Sequence, residues 1–168
     1  RAQAVKLEGG VEVCPQIKAI CEAGIPVMAH IGLTPQHINA FGGFKVQGKD
    51  EEAAKKLLKD AYAVQEAGAF AVVLECVPEK LATMVSEKLN IPTIGIGAGA
   101  GCDGQVLVSH DLLGLYESVR LRFVKRYAHL SKTILDAISQ YSKDVKDKKF
   151  PQDANSFHMD KDELNKVL

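Results

Sequence analysis

The chain has 168 residues, 46% of them hydrophobic and 25% charged, which excludes wholesale disorder and fits a single globular domain. Its 21 basic and 21 acidic side chains cancel, which argues against a nucleic-acid or anionic-membrane surface. No apolar run approaches the roughly 18 residues of a spanning helix. Cys14, Cys21, Cys76 and Cys102 fit no metal-ligand spacing, and a chain of this size needs no disulfides, so reduced thiols in a cytoplasmic protein are expected. No basic-then-apolar leader is visible after Arg1.

In chain order, Ala4 to Glu8 reads as a short strand ended by Gly9-Gly10. Residues 11–23 carry Val13, Ile17 and Ile20 at helical spacing, with Gly24 as the stop. Ile25 to His30 is a buried strand. Asp50 caps a helix over 51–67 with the stripe Ala54, Leu57, Leu58, Ala61 and Val64, ended by Gly68. Ala69 to Glu75 is the clearest buried strand. Pro78 opens a helix whose stripe is Leu81, Met84, Val85 and Leu89. Ile91 to Ile96 and Gln105 to Ser109 read as further strands. Residues 119–146 read as one long helix, and the final polar stretch as a loosely held tail. Domains are therefore expected over 1–118, a sheet covered by helices, and 119–168, a helix with its tail. Apolar strands separated by amphipathic helices mean a parallel α/β fold, either an open doubly wound sheet or part of a (β/α)₈ barrel.

The strand ends carry the functional signal. Lys6 and Glu8 close the first strand, His30 the second and Glu75 the third, while the fourth runs into Gly95 to Gly101. The carboxyl ends of parallel strands build active sites in such folds. Lys6 and Glu8 are two apart and share a face, so they are either an ion pair or the binders of an anion and of a metal or its water. Glu75 follows an apolar run. A partly desolvated carboxylate there suits general-base work, against the plainer reading of a cap for the helix at Pro78. His30 is a structural hydrogen-bonding residue or a substrate or metal contact. The stretch Ile31 to Lys49 is long for a strand–helix connection, about 19 residues against a usual two to six. It reads as a lid, an oligomer contact or a surface excursion. Gly99 to Gly104 matches G-x-G-x-x-G, but a strand rather than a helix follows, so a dinucleotide site is rejected. Its glycines are read as permitting close backbone approach to a ligand or a tight turn between strands. Cys76 is read as a buried thiol, and Asp111 as a helix cap rather than the partner of His110.

Taken together, Val5-Lys6-Leu7-Glu8-Gly9-Gly10, Ala29 to Gln36, Phe41 to Gly48, Leu74-Glu75-Cys76-Val77-Pro78, Ile94 to Gly99, Asp103 to Val108 and His110-Asp111 resemble the ketopantoate hydroxymethyltransferase family, in order over residues 4–115. Phe123 to Tyr127, Phe150-Pro151 and Ser156 to His158 resemble its C-terminal segment. The resemblance implies a (β/α)₈ TIM barrel of the phosphoenolpyruvate/pyruvate type, of which this chain supplies strands 4–8 and C-terminal helices. It implies transfer of a hydroxymethyl group from 5,10-methylenetetrahydrofolate to 3-methyl-2-oxobutanoate, giving 2-dehydropantoate for pantothenate synthesis, with Mg²⁺ and a large homo-oligomer, typically a decamer. By the same resemblance Glu75 is the base, Lys6 and His30 bind substrate, and Glu8 belongs to the metal site through water. The family's first three strands, with two metal-binding aspartates and a serine, have no counterpart here, so an incomplete and inactive barrel piece is expected. Two alternatives are another Mg²⁺-dependent carbon–carbon bond enzyme of that superfamily and a non-catalytic remnant. A nucleophilic-thiol signature, which would mark an isocitrate-lyase-like enzyme, is not seen.

Overall fold

Parallel pairing in strict chain order is the organising feature of this computed structural model, which describes residues 2–37, 46–116 and 121–167. Strands β1 (Val5–Glu8), β2 (Val27–Gly32), β3 (Ala71–Glu75), β4 (Thr93–Ile96) and β5 (Gly104–Gln105) form one sheet, each bonded to its sequence neighbour. Helix α1 (Cys14–Glu22) joins β1 to β2, α2 (Glu51–Glu66) joins β2 to β3, and α3 (Glu79–Lys88) joins β3 to β4. A doubly wound sheet reverses its direction of growth and takes helices on both faces. Here growth never reverses, so right-handed crossovers put all three helices on one face. This decides between the two architectures in favour of a segment of (β/α)₈ barrel wall.

The register shows how the two faces divide. Ala29 pairs with Val72 and Ile31 with Leu74, and these side chains join Ile17 of α1, Leu57, Ala61 and Val64 of α2, and Ala82 and Val85 of α3 in one buried cluster. The alternate positions carry Lys6, Glu8, His30 and Glu75, which the two-residue period of a strand sends to the other face.

Local chemistry sets the helix ends where expected. The Asp50 carboxylate accepts from the Ala53 N–H at 2.8 Å and caps α2. Gly24 and Gly68 follow α1 and α2 with φ of +81° and +102°, the left-handed exit that glycine takes without a Cβ penalty. Pro78 is the N-cap of α3 rather than its first turn.

Between β4 and β5 the crossover has no helix. Residues 97–103 return against α3, where a Cβ on Gly99 would overlap the Glu79 side chain and one on Gly101 the Thr83 hydroxyl. Those two glycines therefore serve helix packing. The return is pinned at its end by Asp103. Its Oδ2 accepts from the N–H and the hydroxyl of buried Thr93, at 2.8 and 2.9 Å. The Thr93 backbone bond first, and its hydroxyl second, hold the Asp103 carboxyl below the usual aspartate range.

Three expectations are corrected. The fifth strand is only Gly104–Gln105, and Ser109 instead opens α4 (Ser109–Leu113). The C-terminal helix α5 is Leu130–Lys146 rather than 119–146. The chain bends through residues 121–129, with the Tyr127 N–H donating to the Leu112 carbonyl, and residues 117–120 lie outside the described residues. Asp111 lies inside α4, two residues past its start, and accepts from the Tyr116 hydroxyl at 2.6 Å. It is therefore not the N-cap. That bond to a carboxylate, with some burial, raises the Tyr116 pKa.

Two compact units result: Arg1–Val108 with Leu121–Val124, and Ser109–Arg120 with Lys125–Leu168. The second holds α4, α5 and α6 (Lys161–Asn165), and its residues 145–167 are exposed throughout.

Leu74→Ala, which empties a fully buried position, should lower the unfolding free energy by about 2–5 kcal/mol in denaturant melts. A lowered folded-state pKa means that Asp103 contributes fully above the ordinary aspartate pKa and loses that contribution as pH falls through the folded value. Asp103→Asn should therefore flatten the loss of stability below about pH 4, measured by denaturant midpoints across the acid range.

Candidate active site

Three adjacent strand ends bring three titratable side chains into a line. Glu8 sits level with His30 in the β1–β2 register, and Gly32 sits level with Glu75 in the β2–β3 register. His30 is thus one strand from each carboxylate and on the same face. Its Nε2 lies 3.1 Å from Glu75 Oε2 and its Nδ1 3.5 Å from Glu8 Oε1. The ring is 2% exposed, and the Glu8 and Glu75 side chains are 8% and 13% exposed. Neither ring nitrogen completes a hydrogen bond of good geometry, so the 3.1 Å approach lies off the N–H axis. Two carboxylates therefore face an imidazole that bonds fully to neither.

Each member is held by its backbone neighbours. The Gly9 N–H donates to the His30 carbonyl at 3.0 Å, and the Gln36 N–H donates to Glu8 Oε2 at 3.1 Å. The Leu33 N–H donates to the Glu75 carbonyl at 2.9 Å. That approach needs Gly32, whose φ is +89° and where any Cβ would strike the Glu75 carbonyl oxygen.

Cys76, next to Glu75, has φ of +52°, a left-handed conformation that costs a non-glycine residue on the order of 1–2 kcal/mol. Its N–H donates to the Ile96 carbonyl at 2.9 Å and its carbonyl accepts from the Gln47 N–H at 2.8 Å. The strained residue thereby ties the end of β4 and the return of the long β2–α2 connection to the base of Glu75. Burial first, and the Glu75 charge second, raise the Cys76 pKa, which keeps it a thiol rather than a nucleophile.

The open alternatives now separate. Lys6 and Glu8 are not an ion pair. Glu8 is engaged by His30 and Gln36, and the exposed Lys6 ammonium has no partner among the described residues. Glu75 does not cap α3: its N-cap is Pro78, and among the described residues the Glu75 carboxylate faces His30 instead. Of the long connection, residues 38–45, with Gly42 and Gly43, lie outside the described residues.

The family model of ketopantoate hydroxymethyltransferase matches residues 1–153, a span that includes all five strands and Lys6, Glu8, His30 and Glu75. The chain belongs to the ketopantoate hydroxymethyltransferase family. It is 62% identical over 167 residues to the 3-methyl-2-oxobutanoate hydroxymethyltransferase of Enterococcus faecalis, covering 99% of this chain and 61% of that protein. It is 57% identical to the enzymes of the same name from Clostridium botulinum (strain Loch Maree) and Carboxydothermus hydrogenoformans, covering 99% of this chain and 60% of each. The chain thus spans about three-fifths of the length of these relatives. Membership of the family agrees with the (β/α)₈ barrel type that the sheet order indicates.

Within this member of the family, sequence reasoning overlooked Gln36, whose contribution is a backbone N–H and leaves no trace in residue type. It also overlooked Asp60. A signal for it existed, since a carboxylate stands inside the apolar stripe Leu57, Ala61 and Val64 and is 6% exposed.

Because the Glu75 charge helps to raise the Cys76 pKa, Glu75→Gln should lower it. Iodoacetamide labelling of Cys76 at a fixed pH between 7 and 8.5 should then be faster in the variant, read by peptide mass spectrometry.

Proposed function

We propose that this chain carries the proton-abstracting part of a site that transfers a hydroxymethyl group from 5,10-methylenetetrahydrofolate to 3-methyl-2-oxobutanoate, giving 2-dehydropantoate. The observation that carries the reading is the placement of Glu75, a nearly buried carboxylate at a barrel strand end with His30 against it at 3.1 Å. Family membership supplies the reaction class.

The chemistry follows from the substrate. The C3 hydrogen of the keto acid is acidified by the adjacent carbonyl, and its removal leaves an enolate. Glu75 takes that proton, and its low exposure keeps water from competing for the carboxylate. Water adds to the methylene carbon of the folate, both of its C–N bonds break and tetrahydrofolate leaves with the two protons of that water; C3 adds to the formaldehyde so released, and the alkoxide takes up the proton that Glu75 had removed. His30 lies against the Glu75 carboxyl at 3.1 Å and is placed where it can contact substrate. Lys6, exposed on the same face and unpaired among the described residues, offers its ammonium to the keto acid carboxylate.

Mg²⁺ belongs to the reading, but the described residues do not fit it unaided. No group of three or more His, Cys, Asp or Glu among them can hold a metal. Glu8 Oε2 is taken by the Gln36 N–H and Oε1 faces His30. Glu8 is therefore assigned a contact through water, in keeping with the taste of Mg²⁺ for retained waters, and no step is derived through the ion. A cytoplasmic homo-oligomer, a decamer as in the family, completes the reading. It is supported by the exposed apolar side chains Ile134, Leu135, Ile138 and Tyr141 of α5. No described helix is long and apolar enough to cross a membrane.

The test is deuterium incorporation at C3 of 3-methyl-2-oxobutanoate in D₂O, followed by proton NMR with the protein and Mg²⁺. Exchange should fall by about 10²–10⁴-fold in Glu75→Gln. Lys6→Met should raise the keto acid concentration needed for half-maximal exchange. Exchange that persists unchanged in Glu75→Gln, or its complete absence once the remaining two-fifths of the relatives' length is supplied, would overturn the assignment; absence from this chain alone is the outcome expected of an incomplete site.

A further inference from the structure

We propose that Asp60, on helix α2, is a positioning residue for Glu8. The importance of Glu8 rests on the function proposed above; the structural coupling does not.

Asp60 is a buried carboxylate that the proposed chemistry does not use. Its Oδ1 accepts from the Val11 N–H at 3.1 Å, and its Oδ2 pairs with the Lys56 ammonium at 2.6 Å. The Gly10 backbone packs directly on it, so a Cβ at Gly10 would overlap the carboxyl group. Asp60 thus fixes both residues that follow Gly9.

The segment it fixes is the exit of β1. Glu8 is followed by Gly9 and Gly10, the two residues with the greatest backbone freedom available to a chain. No side chain of their own can restrain them. Restraint comes from outside: the His30 carbonyl accepts the Gly9 N–H, the Glu12 carboxylate accepts the Gly10 N–H at 3.1 Å, and Asp60 accepts the Val11 N–H. Asp60 is the one of these that ties the exit to another element of the helical layer. Beside the segment lies a cavity of about 120 Å³ lined in part by Gly9, Gly10, Gly32, Thr34, Gln47 and Asp60, which leaves the exit room to shift if Asp60 lets go. Glu8 would then lose its place beside His30 and its bond from the Gln36 N–H.

Buried charge without a catalytic task is costly, and a neutral residue in the stripe would pack α2 as well. The geometry therefore gives this carboxylate a reason to be there, namely to order a glycine pair next to a functional side chain.

Residue-resolved amide hydrogen exchange on the full chain tests this without relying on activity. In Asp60→Ala the amides of Gly9, Val11 and Gln36 should exchange about tenfold faster, while those of Val72 and Leu74 in β3 keep their protection. Asp60→Asn, which retains an acceptor for Val11, should restore Gly9 and Gln36. Should Asp60→Ala fail to fold, Gly10→Ala, which displaces the carboxyl group, should give the same local pattern. An unchanged Gln36 amide, or acceleration spread equally over all strands, would overturn the proposal. Faster exchange of the Gly9, Val11 and Gln36 amides in Asp60→Ala, with C3 exchange of the substrate unchanged, would instead count against the catalytic reading alone.

Discussion

The two-residue alternation of parallel strands held in exact phase is the constraint on which this molecule depends. Glu8 opposite His30 and Gly32 opposite Glu75 place three titratable groups on one face only because Ala29 opposite Val72 and Ile31 opposite Leu74 occupy the other. A slip of one residue in β1 or β3 would send a carboxylate into the helix layer and a leucine into the site, and a slip in β2 would do the same with His30 and Ile31. The buried cluster with Ile17, Leu57, Val64 and Val85 therefore secures the site as well as the sheet, since the hydrophobic cost of the slip holds the register.

Around that register, the connections do specific work at close range. Gly32 lets β2 close on the Glu75 carbonyl, and the left-handed Cys76 turns the chain so that β4 and the Gln47 segment both bond to it. Asp60 restrains the glycine pair after Glu8. Strain and buried charge, both unfavourable alone, sit within a few residues of the candidate base and its neighbours, where ordering side chains is worth that expense.

The glycine-rich stretch after β4 shows how a motif can mislead when its surroundings are unseen. Its spacing matches a phosphate-binding pattern, yet Gly99 and Gly101 are small because α3 lies against them. Asp103 then anchors the return to Thr93, replacing with hydrogen bonds what a helix would do by packing.

Much was legible in the sequence by itself. Periodicity placed β1 to β4 and α1 to α3 within about two residues at most ends, because the strands are short apolar-rich runs and Asp50, Gly24 and Gly68 punctuate the helices. Strand-end polarity pointed to Lys6, Glu8, His30 and Glu75, and the ordered motifs pointed to the family. Tertiary structure alone decided the rest. Whether Lys6 and Glu8 pair depends on what else reaches Glu8, and His30 and a backbone N–H from Gln36 do. Barrel or doubly wound sheet depends on strand order, which local periodicity does not encode. The start of α5, the shortness of β5 and the role of Asp111 each turn on partners distant in sequence, such as the Leu112 carbonyl for Tyr127. Residue type fixes what a side chain can do; the register and the neighbours brought by folding fix which of those things it does.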